Sequence, residues 1–385
     1  EMVRANTTIG PCIPGDATRP CVNNVPAIWA FTTLWGADTR RINLALLDMG
    51  FATNDDFRRP AAGNLVECNM NVFGSPTCGP GRAQGSPTVG NSFFGDRSWH
   101  GPGVVTTAAG VINNDFGAAG VGGQVAVPML YKFDLGSYAF EIGSGIRKAV
   151  ADGASCINIS GGYPCRILTN IGPDFNLCTI EGRAGICAIA SATVVAAAAA
   201  TCAATAWIPF AGPFVCAAAV SGATIATAAC VSTLAFCDLT GPMHSAVPFA
   251  ASRGVPVVTI AGNALSRESF PETIRDYVAI GNHRTEDWGI MPAMAPEAIV
   301  AGAVDGGFSN VHFFGNRVDI WAAIRSTFFA PSDVNDPSST VRKDPFGLGG
   351  TSAAAPFIAG LITVMQALNP ELNPHAPGLT DAARR

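Results

Sequence analysis

The segment Ile42-Asn43-Leu44-Ala45-Leu46-Leu47-Asp48 indicates the architecture of this chain most directly. It is a compact apolar run that ends in an acidic residue and a turn, and this pattern predicts a buried parallel strand. Similar apolar runs recur at 124–130, 154–159, 255–260 and 299–304. Helix-like stretches lie between or after them at 103–111, 137–152, 245–252 and 352–367. Strands that alternate with helices predict an α/β fold, in which helices cover both faces of a parallel sheet.

Composition and charge exclude several classes of protein. The chain has 385 residues, of which 48% are hydrophobic and only 13% are charged. This length is sufficient for a large buried core, which excludes a disulfide-only miniature fold and a disordered chain. The formal net charge of −5 at pH 7, with no block of Lys or Arg, argues against nucleic acid as a partner.

The apolar pattern divides the chain into an N-terminal arm, an α/β domain and an insertion. Residues 1–41 hold two cysteines, turn residues and a short apolar run, which predict an extended arm with a short helix. The α/β pattern occupies residues 42–162 and 242–385. Residues 163–241 interrupt it, because 54 consecutive residues of this segment include no Asp, Glu, Lys, Arg or His and are dominated by Ala.

The insertion is predicted to form an α-helical hairpin. Two apolar halves, 186–206 and 214–236, flank a Pro-containing segment at 207–213. Each half is long enough as a helix to cross a bilayer. Ala, Thr, Ser and Cys outnumber the larger apolar residues, however, and such helices are only marginally favourable in lipid. We expect 186–236 to pack against the rest of the protein or a partner, with membrane contact as the open alternative.

Twelve cysteines, an even number that falls in nearby pairs, indicate disulfides and an oxidising compartment. We therefore expect a secreted protein, extracellular or periplasmic. No signal peptide is visible, so the chain would be a mature or processed form. A helical hairpin that turns at Pro209 brings Cys202 opposite Cys216 and Cys187 opposite Cys230. The predicted disulfides are Cys12–Cys21, Cys68–Cys78, Cys156–Cys165, Cys178–Cys237, Cys187–Cys230 and Cys202–Cys216.

Four polar residues lie where a predicted strand ends or a predicted helix begins: Asp48, His100, Asn263 and Ser352. Each alone has an ordinary structural explanation, as a turn residue, a surface histidine or a helix cap. Together they provide the groups that nucleophilic acyl transfer requires. His100 would activate the Ser352 hydroxyl, and Asp48 would hold the His100 tautomer. The Asn263 amide and the Ser352 N–H would stabilise the oxyanion.

These segments, in this order, resemble those of the subtilase family, the subtilisin-like serine peptidases. The similar segments lie at 42–50, 100–121, 157–162, 257–263, 308–323 and 350–356. The resemblance implies a subtilisin-like parallel sheet with helices on both faces. It also implies that Asp48, His100 and Ser352 form a catalytic triad and that Asn263 completes an oxyanion hole.

The resemblance further implies a secreted serine endopeptidase that acts on proteins or peptides and requires no cofactor for its chemistry. Substrate would bind as an added strand beside Ser160, Gly161 and Gly162, and these glycines would leave room for the side chain next to the scissile bond. The insertion lies outside the resemblance. It leaves open an alternative in which the hydrophobic hairpin binds a membrane or a partner and catalysis is secondary or blocked.

A structural calcium ion is another implication of the resemblance. Its ligands would be Asp56 and Asn114, together with backbone carbonyls of the loop 112–118. Calcium favours such mixed sets of oxygen ligands. The alternative is an ordinary solvated loop rich in Asn and Asp.

Overall fold

A computed structural model of the protein describes its core and part of its surface. The described residues are 25–51, 56, 66–69, 77–80, 100–114, 118–133, 138–164, 166–167, 175–176, 241–263, 284–304, 312–323, 325–328, 331–333, 336–341 and 346–376. The predicted hairpin at 186–236 lies outside them. So do the predicted disulfides Cys12–Cys21, Cys178–Cys237, Cys187–Cys230 and Cys202–Cys216.

The described part of the chain contains helices and strands in alternation. The helices are α1 (Val25–Leu34), α2 (His100–Ala109), α3 (Tyr138–Ala151), α4 (Gly241–Ala251), α5 (Thr285–Trp288) and α6 (Thr351–Leu368). The longer strands are β1 (Ile42–Asp48), β2 (Val66–Asn69), β3 (Thr77–Pro80), β4 (Ala126–Lys132) and β5 (Cys156–Ile159). Then follow the short strands β6 (Tyr163–Pro164), β7 (Arg166–Ile167) and β8 (Phe175–Asn176). The later strands are β9 (Val257–Ile260), β10 (Ile290–Met291), β11 (Ala298–Val304), β12 (Ile320–Ala323), β13 (Arg325–Phe328), β14 (Pro331–Asp333), β15 (Asp336–Val341) and β16 (Phe346–Gly349).

Eight of the described strands form one sheet in the order β12-β11-β9-β5-β1-β4-β2-β3. Every neighbouring pair is parallel except the edge hairpin of β2 and β3. The predicted α/β fold with a parallel sheet is therefore confirmed. The edge hairpin and the antiparallel pairs β13–β16 and β14–β15 were not predicted, because their sequences are short and carry no buried apolar run.

Alternate side chains of β1 enter two separate cores. Leu44 and Leu46 pack with residues of α2 and α6 on one face of the sheet. Ala45 and Leu47 pack with residues of α3 and α4 on the other face. Because successive side chains of a strand point to opposite faces, a strand covered on both faces is apolar throughout. The same alternation directs the side chain of Asp48 toward the face that carries α2 and α6.

Glycines allow α2 to pack closely against its neighbours. A Cβ atom on Gly101 would lie 1.8 Å from the carbonyl oxygen of Gly50, directly after β1. A Cβ atom on Gly360 of α6 would lie 2.6 Å from the carbonyl oxygen of Ala108 in α2. No side chain larger than hydrogen fits at either position without movement of the backbone. The first contact brings the first turn of α2 to the sheet edge where β1 ends, and the second holds α6 against the later part of α2.

Helix α6 is the one helix among the described residues whose length and apolar composition would allow it to cross a membrane. Most of it is buried inside the protein, against α2 and the sheet.

Cys156 corrects one predicted disulfide. It lies in β5 opposite Leu44 of β1, and its side chain is fully buried in the core beneath α6. The thiol is free in the structure, so the predicted Cys156–Cys165 bridge is not formed. Proximity in sequence suggested the bridge, but the alternation of side chains along β5 directs this thiol into the core. Burial raises the pKa of the Cys156 thiol to about 12, which makes it unreactive.

Candidate active site

Asp48 and His100 meet at the carboxyl end of β1. The Nδ1 atom of His100, the first residue of α2, lies 2.9 Å from each carboxylate oxygen of Asp48. The Asp48 side chain is 2% exposed, and its Oδ1 also accepts the backbone N–H of Met49 at 2.8 Å. Because Nδ1 is engaged by the carboxylate, Nε2 is the ring nitrogen available to a further group. No described residue forms a hydrogen bond with His100 Nε2.

Ser352 lies in the first turn of α6 and is buried. Its Oγ donates a long hydrogen bond of 3.4 Å to the carbonyl oxygen of Ser160. Ser160 Oγ in turn donates to the carbonyl oxygen of Ser352 at 3.3 Å. Within the described residues, Ser352 makes no hydrogen bond to His100. The structure therefore brings Asp48 to His100 and Ser352 to Ser160, and it leaves the predicted bond between base and nucleophile unformed.

Asn263, which follows β9, is oriented by a residue that the sequence did not reveal. Its Oδ1 accepts two hydrogen bonds from Thr351, one from the backbone N–H at 2.8 Å and one from Oγ1 at 2.9 Å. Both bonds fix the carbonyl side of the amide and leave its NH₂ group to face elsewhere. Gly350, with φ of 75°, permits this approach, because a Cβ atom there would lie 2.4 Å from Asn263 Oδ1. The only sequence signal for Thr351 was its position between Gly350 and Ser352.

The first turn of α6 leaves one backbone donor without an acceptor. The N–H of Thr351 donates to Asn263, and those of Ala353 and Ala354 donate to the carbonyl oxygen of Gly350. No described group accepts the N–H of Ser352. The first N–H groups of a helix have no partner within the helix and lie at the positive end of its dipole. The Ser352 N–H and the Asn263 NH₂ are thus two donors available to an anion.

The predicted substrate segment lies just beyond β5, between β5 and β6. Asn158 Nδ2 donates to Ser160 Oγ at 3.0 Å, which holds the start of this segment. Residues of a distant segment lie directly against Gly162. A Cβ atom on Gly162 would lie 2.6 Å from Cγ2 of Ile290 and 3.2 Å from the carbonyl oxygen of Met291. Gly162 is therefore packed against Ile290 and Met291, and room for a substrate side chain beside it stays a prediction.

Asp56 and Asn114 come together at the other end of α2, roughly 14 Å along the helix from His100. Asp56 is fully buried, and its Oδ2 accepts the backbone N–H of Ala118 at 3.1 Å. Burial raises the pKa of Asp56 to about 7, although the hydrogen bond from Ala118 and the neighbouring Asn114 side chain oppose the shift. No group of three or more His, Cys, Asp or Glu residues able to hold a metal occurs among the residues that the structure describes. Calcium at this loop stays a prediction.

Comparison with known proteins gives one family. Residues 41–382 match the sequence model described as the subtilase family, a range that begins where the predicted arm ends. No curated protein sequence matches the chain.

Several solved structures are similar at low sequence identity. The MycP3 protease from the type VII (ESX-3) secretion system is 16% identical, with a TM-score of 0.49 over 97% of this chain and 82% of that one. The nisin leader peptidase NisP from Lactococcus lactis is 14% identical, with a TM-score of 0.45 over 87% of this chain and 80% of that one. A cold adapted subtilisin-like serine proteinase is 16% identical, with a TM-score of 0.42 over 88% of this chain and 87% of that one.

Proposed function

Because the chain belongs to the subtilase family, we propose that it is a secreted serine endopeptidase that hydrolyses proteins or peptides. The observation that carries the proposal is the paired contact of Asp48 with His100 Nδ1 at 2.9 Å. This contact selects the tautomer in which Nδ1 bears the proton and Nε2 can act as a base. The buried carboxylate also stabilises the imidazolium that forms when Nε2 accepts a proton.

In the proposed reaction, His100 Nε2 removes the proton of Ser352 Oγ as the oxygen attacks the substrate carbonyl carbon. Ser352 Oγ must first leave the carbonyl oxygen of Ser160, and the length of that bond, 3.4 Å, makes the exchange easy. Catalytic hydrogen bonds are often unformed until substrate binds, so the geometry without substrate is compatible with this role.

Attack converts the carbonyl into a tetrahedral oxyanion, and the two free donors in the first turn of α6 and on Asn263 would stabilise it. The oxyanion then collapses and breaks the C–N bond, and His100 transfers its proton to the departing amine. Water then attacks the acyl group on Ser352 while His100 accepts its proton. The bond between the acyl carbon and Ser352 Oγ breaks, His100 returns the proton to Oγ, and the carboxylic acid product leaves. Each proton that His100 accepts is returned, so the enzyme ends in its starting state.

Two cysteines that lie opposite each other at the sheet edge support the proposed secreted location. Cys68 of β2 lies directly opposite Cys78 of β3 in an antiparallel register. Opposite residues in such a pair have Cα atoms about 4.5–5.5 Å apart, which lies within the range that a disulfide spans. A Cys68–Cys78 disulfide would close this edge hairpin in an oxidising compartment.

A structural calcium ion near Asp56 is part of the proposal. The Asp56 carboxylate and the Asn114 side-chain oxygen would be ligands, because the two side chains are neighbours; the Asn114 amide would turn its oxygen toward the ion. The ion would stabilise the loop that follows α2 and would take no part in the chemistry.

Labelling with a fluorophosphonate tests the catalytic assignment. The wild-type protein should be labelled, and peptide mapping should place the label on Ser352. Ser352→Ala should not react, while Ser155→Ala, which replaces a serine bonded to Asn373 elsewhere in the fold, should react normally. An unlabelled wild type, or a label that persists in Ser352→Ala, would contradict the proposed function.

A further inference from the structure

Two short segments, here called the walls, follow neighbouring strands at the carboxyl edge of the sheet. Residues 160–162 follow β5 and residues 261–263 follow β9, and these strands are parallel neighbours with Ile159 opposite Thr259. The first turn of α6 is tied to both walls. Ser352 is hydrogen-bonded to Ser160 on one wall, and Thr351 is hydrogen-bonded to Asn263 on the other. A peptide whose carbonyl reaches Ser352 would place the adjoining side chain beside these walls.

A bulky side chain lies against the glycine of each wall. On the first wall, the site of a Cβ atom on Gly162 is 2.6 Å from Ile290 Cγ2. On the second wall, the site of a Cβ atom on Gly262 is 2.6 Å from the ring of Phe313. Ile290 and Phe313 are 6% and 2% exposed and belong to one apolar cluster, which also includes Ala261.

The backbone holds Ile290 firmly in this position. It lies in β10, where Ile290 is opposite Pro164 and Met291 is opposite Tyr163 of β6. Its carbonyl oxygen accepts the N–H of Met294 at 2.9 Å. A side chain anchored on both sides of its residue cannot move away to admit a bulky group without disturbing close-packed neighbours.

We propose that Ile290 restricts this protease to substrates with a small side chain, such as Ala, Ser or Gly, on the residue whose carbonyl is attacked. The inference rests on the proposed function and specifies its substrate class. Ile290 acts by occupying the volume that a large side chain would need. Even one methylene in an apolar pocket changes kcat/KM by roughly 10–200-fold, so exclusion of a Phe side chain should be at least 100-fold.

Two peptidyl phosphonates that differ only in this side chain, Ala or Phe, test the inference through their rates of reaction with Ser352. The wild type should react with the Ala probe at least about 100-fold faster than with the Phe probe. Ile290→Ala should raise the rate with the Phe probe by about tenfold or more, and Ile290→Val should give a smaller increase in the same direction. The rate with the Ala probe should change little in either variant.

Val300→Ala is the matched control, because it truncates a buried side chain of the same cluster that is not among the nearest neighbours of either glycine. It should leave the ratio of the two rates unchanged. A wild type that reacts equally with both probes, or variants of Ile290 with an unchanged ratio, would overturn the inference. These outcomes are distinct from failure of the proposed function, in which neither probe nor a simple fluorophosphonate labels Ser352.

Discussion

The buried carboxyl of Asp56 predicts a stability that depends on pH in an unusual direction. Burial raises the pKa of Asp56 from 3.8 to about 7. Between these two values the unfolded chain has released the proton while the folded protein still holds it. Proton binding then favours the folded state, so the free energy of unfolding decreases as pH rises from about 4 to about 7. Most native carboxyls have lowered pKa values and give the opposite slope.

The magnitude follows from the same shift. Moving an acid from a pKa of 3.8 to about 7 corresponds to about 4 kcal/mol of lost stability above pH 7. Asp56 is fully buried, so solvent screening reduces this value little. Asp56→Asn removes the titrating group. The free energy of unfolding of this variant should therefore not show this decrease with rising pH.

Urea unfolding in the Ser352→Ala background, which prevents self-digestion, measures the effect from pH 4 to pH 8. The measurement is made with a calcium chelator on two proteins, one with native Asp56 and one with Asp56→Asn. The difference between their free energies of unfolding should fall by about 4 kcal/mol across this pH range. Glu371→Gln, which removes an exposed carboxylate, is the control and should not reproduce that change. A difference between Asp56 and Asp56→Asn that is constant with pH would refute the argument from burial.

Calcium should reverse the trend if it binds at Asp56. A bound cation favours the ionised carboxylate. At pH 8, calcium at 100 times its Kd would raise the free energy of unfolding by about 2.7 kcal/mol. The gain should be absent near pH 4 and in Asp56→Asn. Unchanged stability at pH 8 with millimolar calcium would exclude the proposed calcium site.

Further predictions concern the proposed site and the sheet edge. Asp48→Asn should lower kcat by about 10⁴ by favouring the wrong His100 tautomer; a loss below tenfold would contradict that role. Asn263→Ala should lower kcat by about 10²–10³ with KM nearly unchanged. This is the loss of kcat that follows removal of one oxyanion donor, as in a subtilisin. A change confined to KM would count against it. Thr351→Val removes one hydrogen bond to Asn263, about 1 kcal/mol, so kcat should fall roughly fivefold. When Asn263 is already Ala, Thr351→Val should lower kcat no further. Losses of kcat that add in the double variant would argue that Thr351 does not act by orienting Asn263. Peptide maps without reductant should show Cys68 joined to Cys78, and a free Cys68 in exported protein would disprove the disulfide.

Local patterns in the sequence were sufficient to predict the central sheet and four candidate residues. The strands β1, β4, β5, β9 and β11 are apolar runs because both of their faces are buried, and a pattern of that kind is visible without any partner. Asp48 ends one such run, and Asn263 lies three residues beyond another. His100 and Ser352 begin helices. Each of these signals lies within a few residues of the side chain concerned.

The edge strands were beyond the reach of such patterns. Backbone hydrogen bonds to a neighbour hold β2 and β3, and the short polar sequences of these strands carry no periodic apolar signal. The free thiol of Cys156 was missed for a related reason. Distance along the chain suggested a nearby partner, but the direction of the side chain depends on the register of β5 within the sheet.

The finer properties of the candidate site depend on residues that meet only in the folded protein. Thr351 orients Asn263 across 88 positions of sequence, and Ser352 contacts Ser160 across 192. Ile290 occupies the space beside Gly162 because β10 pairs with β6. Sequence patterns predict which side chains could do the chemistry, since burial and helix ends leave local signatures. The volume left for a substrate depends on packing between distant segments, and no local pattern records it.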